Sequence, residues 1–280
     1  NDELYGSNLA DSLFGDKSAD ILYGGGGDDS LLGDEGADTL YGGAGADEFY
    51  GGANIDTVSY NNITGTIGVS LNLDTGTGTS IEEVGKTYSN EAVGDTFDSI
   101  EKIQGTNQDD AFKGDASANT FYGEGGNDIF DGGSATGEQT GDYIDGGADN
   151  DTVTYQNSTA GVTVNLQTKA NRNGDADFDT LISIENVIGS TQNDTITGED
   201  GVDNKLYGGN GHDTFYSSTG TNSYYGGSDS NKDYLFYEHS GAINLNFATN
   251  THTGGDAEGD TIENISQIRM SANNDTYTAA

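Results

Sequence analysis

The sequence contains no cysteine, so neither disulfides nor thiolate-held metals can stabilise the fold. It also contains no proline and no tryptophan, and only 9 of its 280 residues are lysine or arginine. Against these stand 48 aspartate and glutamate residues, which give a formal net charge of −39. So large an excess of negative charge disfavours nucleic acids and anionic membrane surfaces as partners.

Hydrophobic residues are scarce as well, at 31%, which is too few for one conventional core in a chain of this length. No apolar run approaches the ~18 residues of a membrane span, so we expect no membrane insertion. The start Asn1-Asp2-Glu3 is neither an initiator nor the basic start of a signal peptide, and we expect a fragment of a longer protein. The 16 tyrosines and 10 phenylalanines nevertheless exceed what disordered tails carry, so we predict order that depends on a ligand.

Glycine is abundant, with 45 residues, and it recurs with a period of nine. Six consecutive units between residues 6 and 59 open on glycine, hold aspartate at the sixth place and an apolar residue at the eighth. The period returns, with defects, from Gly105 and from Gly189. Carboxylates repeated in this way predict a series of metal ligands: Asp11, Asp20, Asp29, Asp38, Asp47, Asp56, Asp110, Asp128, Asp142, Asp151, Asp194, Asp203, Asp213 and Asp233.

The units GGAGADEFY (residues 42–50) and GGNGHDTFY (residues 208–216) match GGxGxDxUx at every defined place. The chain therefore resembles the RTX (repeats-in-toxin, hemolysin-type) calcium-binding nonapeptide family. The resemblance implies an all-β fold, a right-handed parallel β-roll or β-solenoid. In that fold each nonapeptide is a six-residue turn that holds Ca²⁺, followed by a three-residue strand. It also implies type I secretion from bacteria and a location outside the cell or on its surface.

In a roll with eighteen residues per coil, the turn aspartates stack in two columns, with neighbours ~4.8 Å apart. Two carboxylates at that distance repel each other by about 3 kcal/mol at an effective dielectric constant of ~20. Ca²⁺ would reverse the sign of this interaction, since it accepts six to eight oxygen ligands, including backbone carbonyls, whereas Mg²⁺ demands a stricter octahedron. We therefore predict that folding is coupled to the binding of several calcium ions.

Three connectors, residues 60–104, 155–188 and 237–269, separate the nonapeptide blocks and resemble one another. Each contains an alternating apolar segment that predicts a strand with one buried face. Each then continues through a polar loop to an Ile-Glu type segment, for which a strand and a short helix are both open. We predict three blocks with connectors, residues 1–104, 105–188 and 189–269, and a truncated fourth start at 270–280. The alternating residues are Val69, Leu71 and Leu73; Val162, Val164 and Leu166; and Ile243, Leu245 and Phe247.

The second connector contains the string Asp175, Asp177, Asp179, which suggests an EF-hand. We exclude that motif because its required glycine is Thr180 and its twelfth place is Asn186. Two interpretations stay open for this loop and for the one with Asp256, Glu258 and Asp260: an irregular calcium site, or a solvated acidic loop.

Aromatic residues recur at the ninth place, where a three-residue strand points outward. They form either a sugar-stacking or adhesive face or a surface that connectors and neighbouring repeat modules cover. The three histidines, His212, His239 and His252, belong to no zinc or hydrolase motif, and we expect structural surface roles for them. The ninth-place residues of the first block are Phe14, Tyr23, Leu32, Tyr41 and Tyr50.

The sequence thus predicts a non-enzymatic, calcium-binding β-roll segment of a secreted bacterial exoprotein, with a structural or adhesive role. The alternative is a carbohydrate-binding or targeting module attached to an extracellular polysaccharide-active or lipolytic enzyme. Calcium ions are the expected partners in either case, with a glycan or neighbouring modules as further candidates.

Overall fold

A computed structural model describes residues 1–63, 68–78, 92–134, 141–238 and 240–279. These residues form short β-strands and two single-turn 3-10 helices, with no α-helix among them, which confirms the predicted all-β class. The chain divides into two compact units, residues 1–138 with 142–151, and residues 139–141 with 152–280. None of the described residues belongs to a helix long and apolar enough to cross a membrane.

The first seven strands of the first unit begin nine residues apart, and the later ones are spaced less regularly. In chain order they are β1 (Glu3–Tyr5), β2 (Ser12–Phe14), β3 (Ile21–Gly26), β4 (Ser30–Glu35), β5 (Thr39–Ala44), β6 (Glu48–Ala53), β7 (Thr57–Ser59), β8 (Ser70–Asn72), β9 (Thr77–Gly78), β10 (Thr96–Asp98), β11 (Lys102–Gln104), β12 (Ala111–Lys113), β13 (Thr120–Tyr122), β14 (Ile129–Asp131) and β15 (Tyr143–Asp145).

Successive strands of the first block lie in alternate sheets, so that β3 pairs with β5 and β4 with β6, all parallel. Leu22 pairs with Leu40 and Leu31 with Phe49, which is the register of one coil for every two nonapeptides. The eighth-place side chains of the two sheets point inward and form the core. The paired rows are Leu4, Leu22, Leu40, Val58, Ile103, Phe121 and Ile144; Leu13, Leu31, Phe49 and Phe97; and Leu71, Phe112 and Phe130.

Four strands of the first block are longer than the three residues implied by the family resemblance. β3 to β6 each have six residues, because the first half of the glycine-rich turn also pairs with its neighbour. Gly25 pairs with Gly43, and Asp34 with Gly52. The turns are therefore held in register by the same ladder that holds the strands.

The first connector continues the roll. Its alternating segment forms β8, which pairs parallel to β12 and antiparallel to the short β9. β9 in turn pairs antiparallel to β10, which lies parallel to β6. Val69 and Leu71 are buried as predicted, while Leu73 is half-buried. The Ile-Glu segment leads into strand β11, so the helix alternative is wrong here.

The second unit repeats the same succession of short strands. In chain order they are β16 (Thr152–Thr154), β17 (Thr163–Asn165), β18 (Thr180–Ile182), β19 (Asn186–Ile188), β20 (Thr195–Thr197), β21 (Lys205–Tyr207), β22 (Thr214–Tyr216), β23 (Ser223–Tyr225), β24 (Tyr234–Phe236), β25 (Asn244–Asn246), β26 (Thr251–Thr253), β27 (Thr261–Glu263), β28 (Gln267–Arg269) and β29 (Thr276–Thr278).

Two parallel series build the second unit, β16-β19-β21-β23-β27 and β17-β20-β22-β24-β28. β25 pairs antiparallel to β26 and parallel to β29. The connector strands β17 and β25 bury Val164 and Leu245, and the Ile-Glu segments lead into strands β19 and β28. The two 3-10 helices, Gly174–Ala176 and Gly255–Ala257, lie in the acidic loops. The division into three repeat blocks stays a proposal. It is supported by β7, β16 and β24, each of which directly precedes a connector.

Candidate metal centres

The turn aspartates of the first block form the two columns that their spacing predicts. In one column, the Oδ1 atom of Asp29 accepts the backbone N–H of Asp11, and Oδ1 of Asp47 accepts that of Asp29, both at 2.8 Å. In the other, Oδ1 of Asp38 accepts the N–H of Asp20 at 2.7 Å. One oxygen of each carboxylate is thus used to hold the preceding turn in register.

The second oxygen of these carboxylates is buried and accepts no hydrogen bond from the described residues. A buried, charged oxygen without a donor is strongly unfavourable unless a positive charge stabilises it. The regular recurrence of such an atom indicates a binding position rather than a packing defect. The aspartates that share this feature at Oδ2 are Asp20, Asp29, Asp38, Asp47, Asp56, Asp128 and Asp213.

The first glycine of each turn leaves room beside this oxygen. A Cβ atom on Gly15 would lie 3.1 Å from Oδ2 of Asp20 and 2.7 Å from the carbonyl oxygen of Gly33, one coil further on. A Cβ on Gly24 would clash with Oδ2 of Asp29 and lie 2.7 Å from the carbonyl oxygen of Gly42. A carboxylate oxygen and a glycyl carbonyl oxygen therefore face the same space, which only glycine keeps open.

This donor set fits a hard cation. The described residues contain no group of three or more histidine or acidic side chains positioned to hold a metal, and each column place offers at most one carboxylate. Further ligands would have to come from backbone carbonyls, which Ca²⁺ accepts readily and transition metals do not prefer. Glycine-rich turns supply such carbonyls without side chains that obstruct them.

Burial changes the acidity of the column aspartates. It raises the pKa of Asp47 and of Asp56 to about 6, and that of Asp213 to about 7. The effect is larger at Asp128, where burial and the neighbouring Asp110 and Asp151 raise the pKa to about 9. Without a bound cation, the columns therefore resist full ionisation at neutral pH.

These shifts predict that acid favours the fold when no divalent cation is present. A carboxyl whose pKa is higher in the folded than in the unfolded state stabilises the folded state most at a pH below its ordinary pKa of 3.8. This contribution is lost as the pH rises through the raised pKa. In buffer freed of cations on a chelating resin, we expect the far-ultraviolet circular dichroism (CD) signal of β structure to grow between pH 8 and pH 5. A β signal that decreases over this range would contradict the prediction.

The second block contains the same columns with two departures. Asn119 stands in place of an aspartate, and its N–H donates to Oδ1 of Asp142 at 2.8 Å. Oδ1 of Asp151 accepts the N–H of Asp128, also at 2.8 Å. Both pairs are 23 residues apart, because five extra residues are inserted between the turns, as the sequence predicts. Residues 135–140, which lie in this longer turn, are outside the described residues.

In the third block the structure corrects one predicted ligand. Asp203 is exposed and accepts the N–H of Thr221, whereas Asn204 occupies the buried column place. The turn from Gly198 is one residue longer than the period, so counting forward from glycine reaches Asp203. Counting back from the buried Leu206 would have found Asn204. The next column member, Asn222, was also missed, and its Oδ1 accepts the N–H of Asn204 at 3.0 Å.

Asp194, Asp213 and Asp233 form the other column of this block, with N–H to Oδ1 distances of 2.9 and 3.0 Å. Asp233 is buried, and burial raises its pKa.

The first aspartate of each block has its own hydrogen-bond donors. The N–H groups of Thr106 and Ser190 donate to Oδ2 of Asp110 and Asp194 at 2.7 and 2.6 Å, and Ser7 donates likewise to Asp11 at 2.6 Å. A hydroxyl residue directly after the first glycine thus satisfies the carboxylate of an opening turn. Later turns have glycine or another residue at that place, and their Oδ2 atoms depend on something else.

The two acidic loops do not gather their carboxylates. Asp177 and Glu258 are exposed, whereas Asp179 and Asp260 point inward and are buried.

Of the histidines, His212 is exposed as expected and His239 lies outside the described residues. The surface role expected for His252 is wrong, because this side chain is 2% exposed and its Nδ1 accepts the N–H of Asn246.

The outward aromatic residues stack on one another. The rings of Tyr5, Tyr23 and Tyr41 have centroids 4.9 and 4.7 Å apart and are inclined by 7° and 12°. Each ring therefore covers the face of the next. Binding to a sugar would need a free face, so this geometry speaks against a sugar-stacking role for the tyrosine ladder.

Parallel coils of two nonapeptides, with one carboxylate and glycyl carbonyls at each turn, define a β-roll with oxygen-lined turns. The family model of the RTX calcium-binding nonapeptide repeat (four copies) matches residues 1–31, 23–58, 104–137, 135–155, 183–204 and 203–232, together more than half of the chain. The chain belongs to this family.

Comparison with curated proteins gave no match. Among solved structures, the chain is similar to the extracellular lipase LipA from Serratia marcescens, at 15% sequence identity and a TM-score of 0.19. The similarity covers 82% of this chain and 33% of the lipase chain, so the chain spans about a third of that protein. The assignment of the fold is therefore based on the strand pairing described above and not on this similarity.

Proposed function

We propose that the chain is a non-catalytic repeat region of a secreted bacterial protein, in which calcium ions bound at the turns complete the fold outside the cell. The observation that carries this proposal is the recurrence of a buried Oδ2 atom without a donor beside a glycyl carbonyl. Bound Ca²⁺ would supply the positive charge that these oxygens need.

The first proposed ligands are the column aspartates whose Oδ2 atom has no donor among the described residues. Asp142, Asp151 and Asp233 join them because they occupy the same column place and are equally buried. Asp203 leaves the set because it is exposed, and the aspartates of the opening turns are secondary candidates. The proposed primary ligands are Asp20, Asp29, Asp38, Asp47, Asp56, Asp128, Asp142, Asp151, Asp213 and Asp233.

If folding depends on bound calcium, such a region folds only after export. The cytosol is poor in free calcium, whereas the extracellular medium holds it near millimolar concentration, so a chain of net charge −39 would remain unfolded until it leaves the cell. The absence of cysteine agrees with this, since calcium then takes the stabilising role that disulfides have in many secreted domains. A structural or adhesive role follows from the repeated coils, which offer a stiff scaffold.

The metal content of the folded protein tests the proposal. After equilibrium dialysis against millimolar Ca²⁺ and gel filtration, elemental analysis should find several calcium ions per chain. The same procedure with Mg²⁺ should leave less than about one ion per chain, because a carbonyl-rich turn suits the smaller ion poorly. A chain that keeps its β structure with no bound calcium, or that binds both ions equally, would overturn the proposal.

A further inference from the structure

Three turn aspartates have a tyrosine hydroxyl as the partner of their second oxygen. Tyr60 donates its hydroxyl to Oδ2 of Asp95 at 2.5 Å, in the first connector. In the other two connectors, Tyr155 donates to Oδ2 of Asp179 at 2.8 Å, and Tyr237 to Oδ2 of Asp260 at 2.7 Å. All six side chains are buried. The same pair therefore recurs once in every connector, and we name these three pairs the tyrosine locks.

Asp95 belongs to the same ladder as the proposed calcium ligands, whereas Asp260 ends a column that contains Asn204 and Asn222. Oδ1 of Asp95 accepts the N–H of Asp47 at 2.8 Å, and Oδ1 of Asp260 accepts that of Asn222, also at 2.8 Å. Asp47 and Asp95 are thus consecutive members of one column. Their Oδ1 atoms have the same role, but among the described residues Oδ2 of Asp47 has no donor, whereas Oδ2 of Asp95 has a hydroxyl.

The backbone of the locked turns also differs. Each has an alanine three residues before the aspartate, at Ala92, Ala176 or Ala257, and these three side chains are at most 2% exposed. Alanines also stand three residues before Asp47, Asp56 and Asp151, but those are exposed. The N–H of each locked aspartate reaches the carbonyl oxygen of its alanine at 3.4 Å, whereas the N–H of Asp47 donates to the next aspartate of its column. The locked turns therefore bond within themselves and bury a methyl group.

We propose that the tyrosine locks are metal-free turns, in which a hydroxyl takes the place that a calcium ion would have beside the buried carboxylate. This inference rests on the proposed function. The hydroxyl supplies a partial positive charge to the buried carboxylate, as an ion would, and burial beside Asp95 raises the pKa of Tyr60 well above its usual value, so that the proton stays in place. The column can then stop inside the chain without leaving a carboxylate oxygen unsatisfied.

A comparison of two buried column aspartates tests the proposal. Asp260→Asn should bind as many calcium ions as the wild-type protein, because an amide at this place can still bond to Tyr237. Asp213→Asn should lose one ion. Bound calcium is counted by elemental analysis after dialysis, for proteins that elute as folded. Loss of an ion from Asp260→Asn would overturn the proposal, while a wild-type protein without calcium would refute the proposed function itself.

The tyrosines provide a second measurement. Tyr237→Phe should lower the melting temperature in saturating calcium by about 5 °C, since Asp260 loses its donor, with the number of bound ions unchanged. Tyr23→Phe, which removes a hydroxyl from the outward stack, is the control and should change neither quantity. A crystal structure grown in calcium should show ions at glycine-rich turns and none within coordination distance of Asp95, Asp179 or Asp260. An ion bound to any of these three would contradict the inference.

Discussion

Removal of calcium is expected to abolish most of the β structure at neutral pH. Each independent site at a calcium concentration one hundred times its Kd contributes ~2.7 kcal/mol to the folded state. A few such sites together reach the ~5–15 kcal/mol by which an ordinary domain is stable. Without the ions, the column aspartates must either repel one another or take up protons, and the scarce apolar residues cannot compensate.

The measurement is far-ultraviolet CD at pH 7.5 in excess EGTA, followed by addition of calcium beyond the chelator. We expect the β signal to vanish in EGTA, to return with calcium and to stay absent with an equal excess of Mg²⁺. An increase of ionic strength with NaCl is the control for simple screening of the net charge, and it should restore only a minor part of the signal. A β signal that survives chelation in full would refute the coupling.

The columns and the core could be predicted from the sequence because both follow from local periodicity. Once two nonapeptides make one coil, Leu22 must lie over Leu40 and Asp20 over Asp38, and the structure shows both pairings. Where a turn has an extra residue, the residue predicted for the column can be wrong by one position, as it is at Asp203. Asp203 and Asn204 are adjacent, and the register of β21, in which Leu206 pairs with Val187 and Tyr224, places Asn204 in the column.

The tyrosine locks show a different limit. Tyr60 and Asp95 are 35 residues apart, and Tyr237 and Asp260 are 23 apart, so no short motif joins them. The connectors were recognisable as repeats, but their strands alone do not indicate which aspartate faces which hydroxyl. The signal that could have found the pairs is the recurrence, in all three connectors, of an opening tyrosine followed by an Ala-x-x-Asp segment. The segment alone would not suffice, because it also occurs at Asp47, Asp56 and Asp151.

The second large effect is expected from replacing a single column aspartate, Asp213, by asparagine. Asp213→Asn should destabilise the protein in millimolar calcium by about 3 kcal/mol, because one ion loses its charged ligand. The hydrogen-bond ladder should survive, since Asn222 already accepts the N–H of Asn204 at an equivalent place. For a chain of this size the loss corresponds to a decrease of roughly 5–10 °C in melting temperature.

The same substitution should have the opposite sign when calcium is absent. Burial raises the pKa of Asp213 to about 7, so the folded, calcium-free wild-type protein must hold a proton or a buried charge there, and an amide needs neither. In cation-free buffer near pH 6, the CD signal of Asp213→Asn should therefore equal or exceed that of the wild-type protein. The matched control is Asp203→Asn, an exposed neighbour, which should change the melting temperature by less than about 1 °C in either buffer. A substitution at Asp213 that destabilises equally with and without calcium would show that its carboxylate serves the ladder alone, and that the ion is held elsewhere.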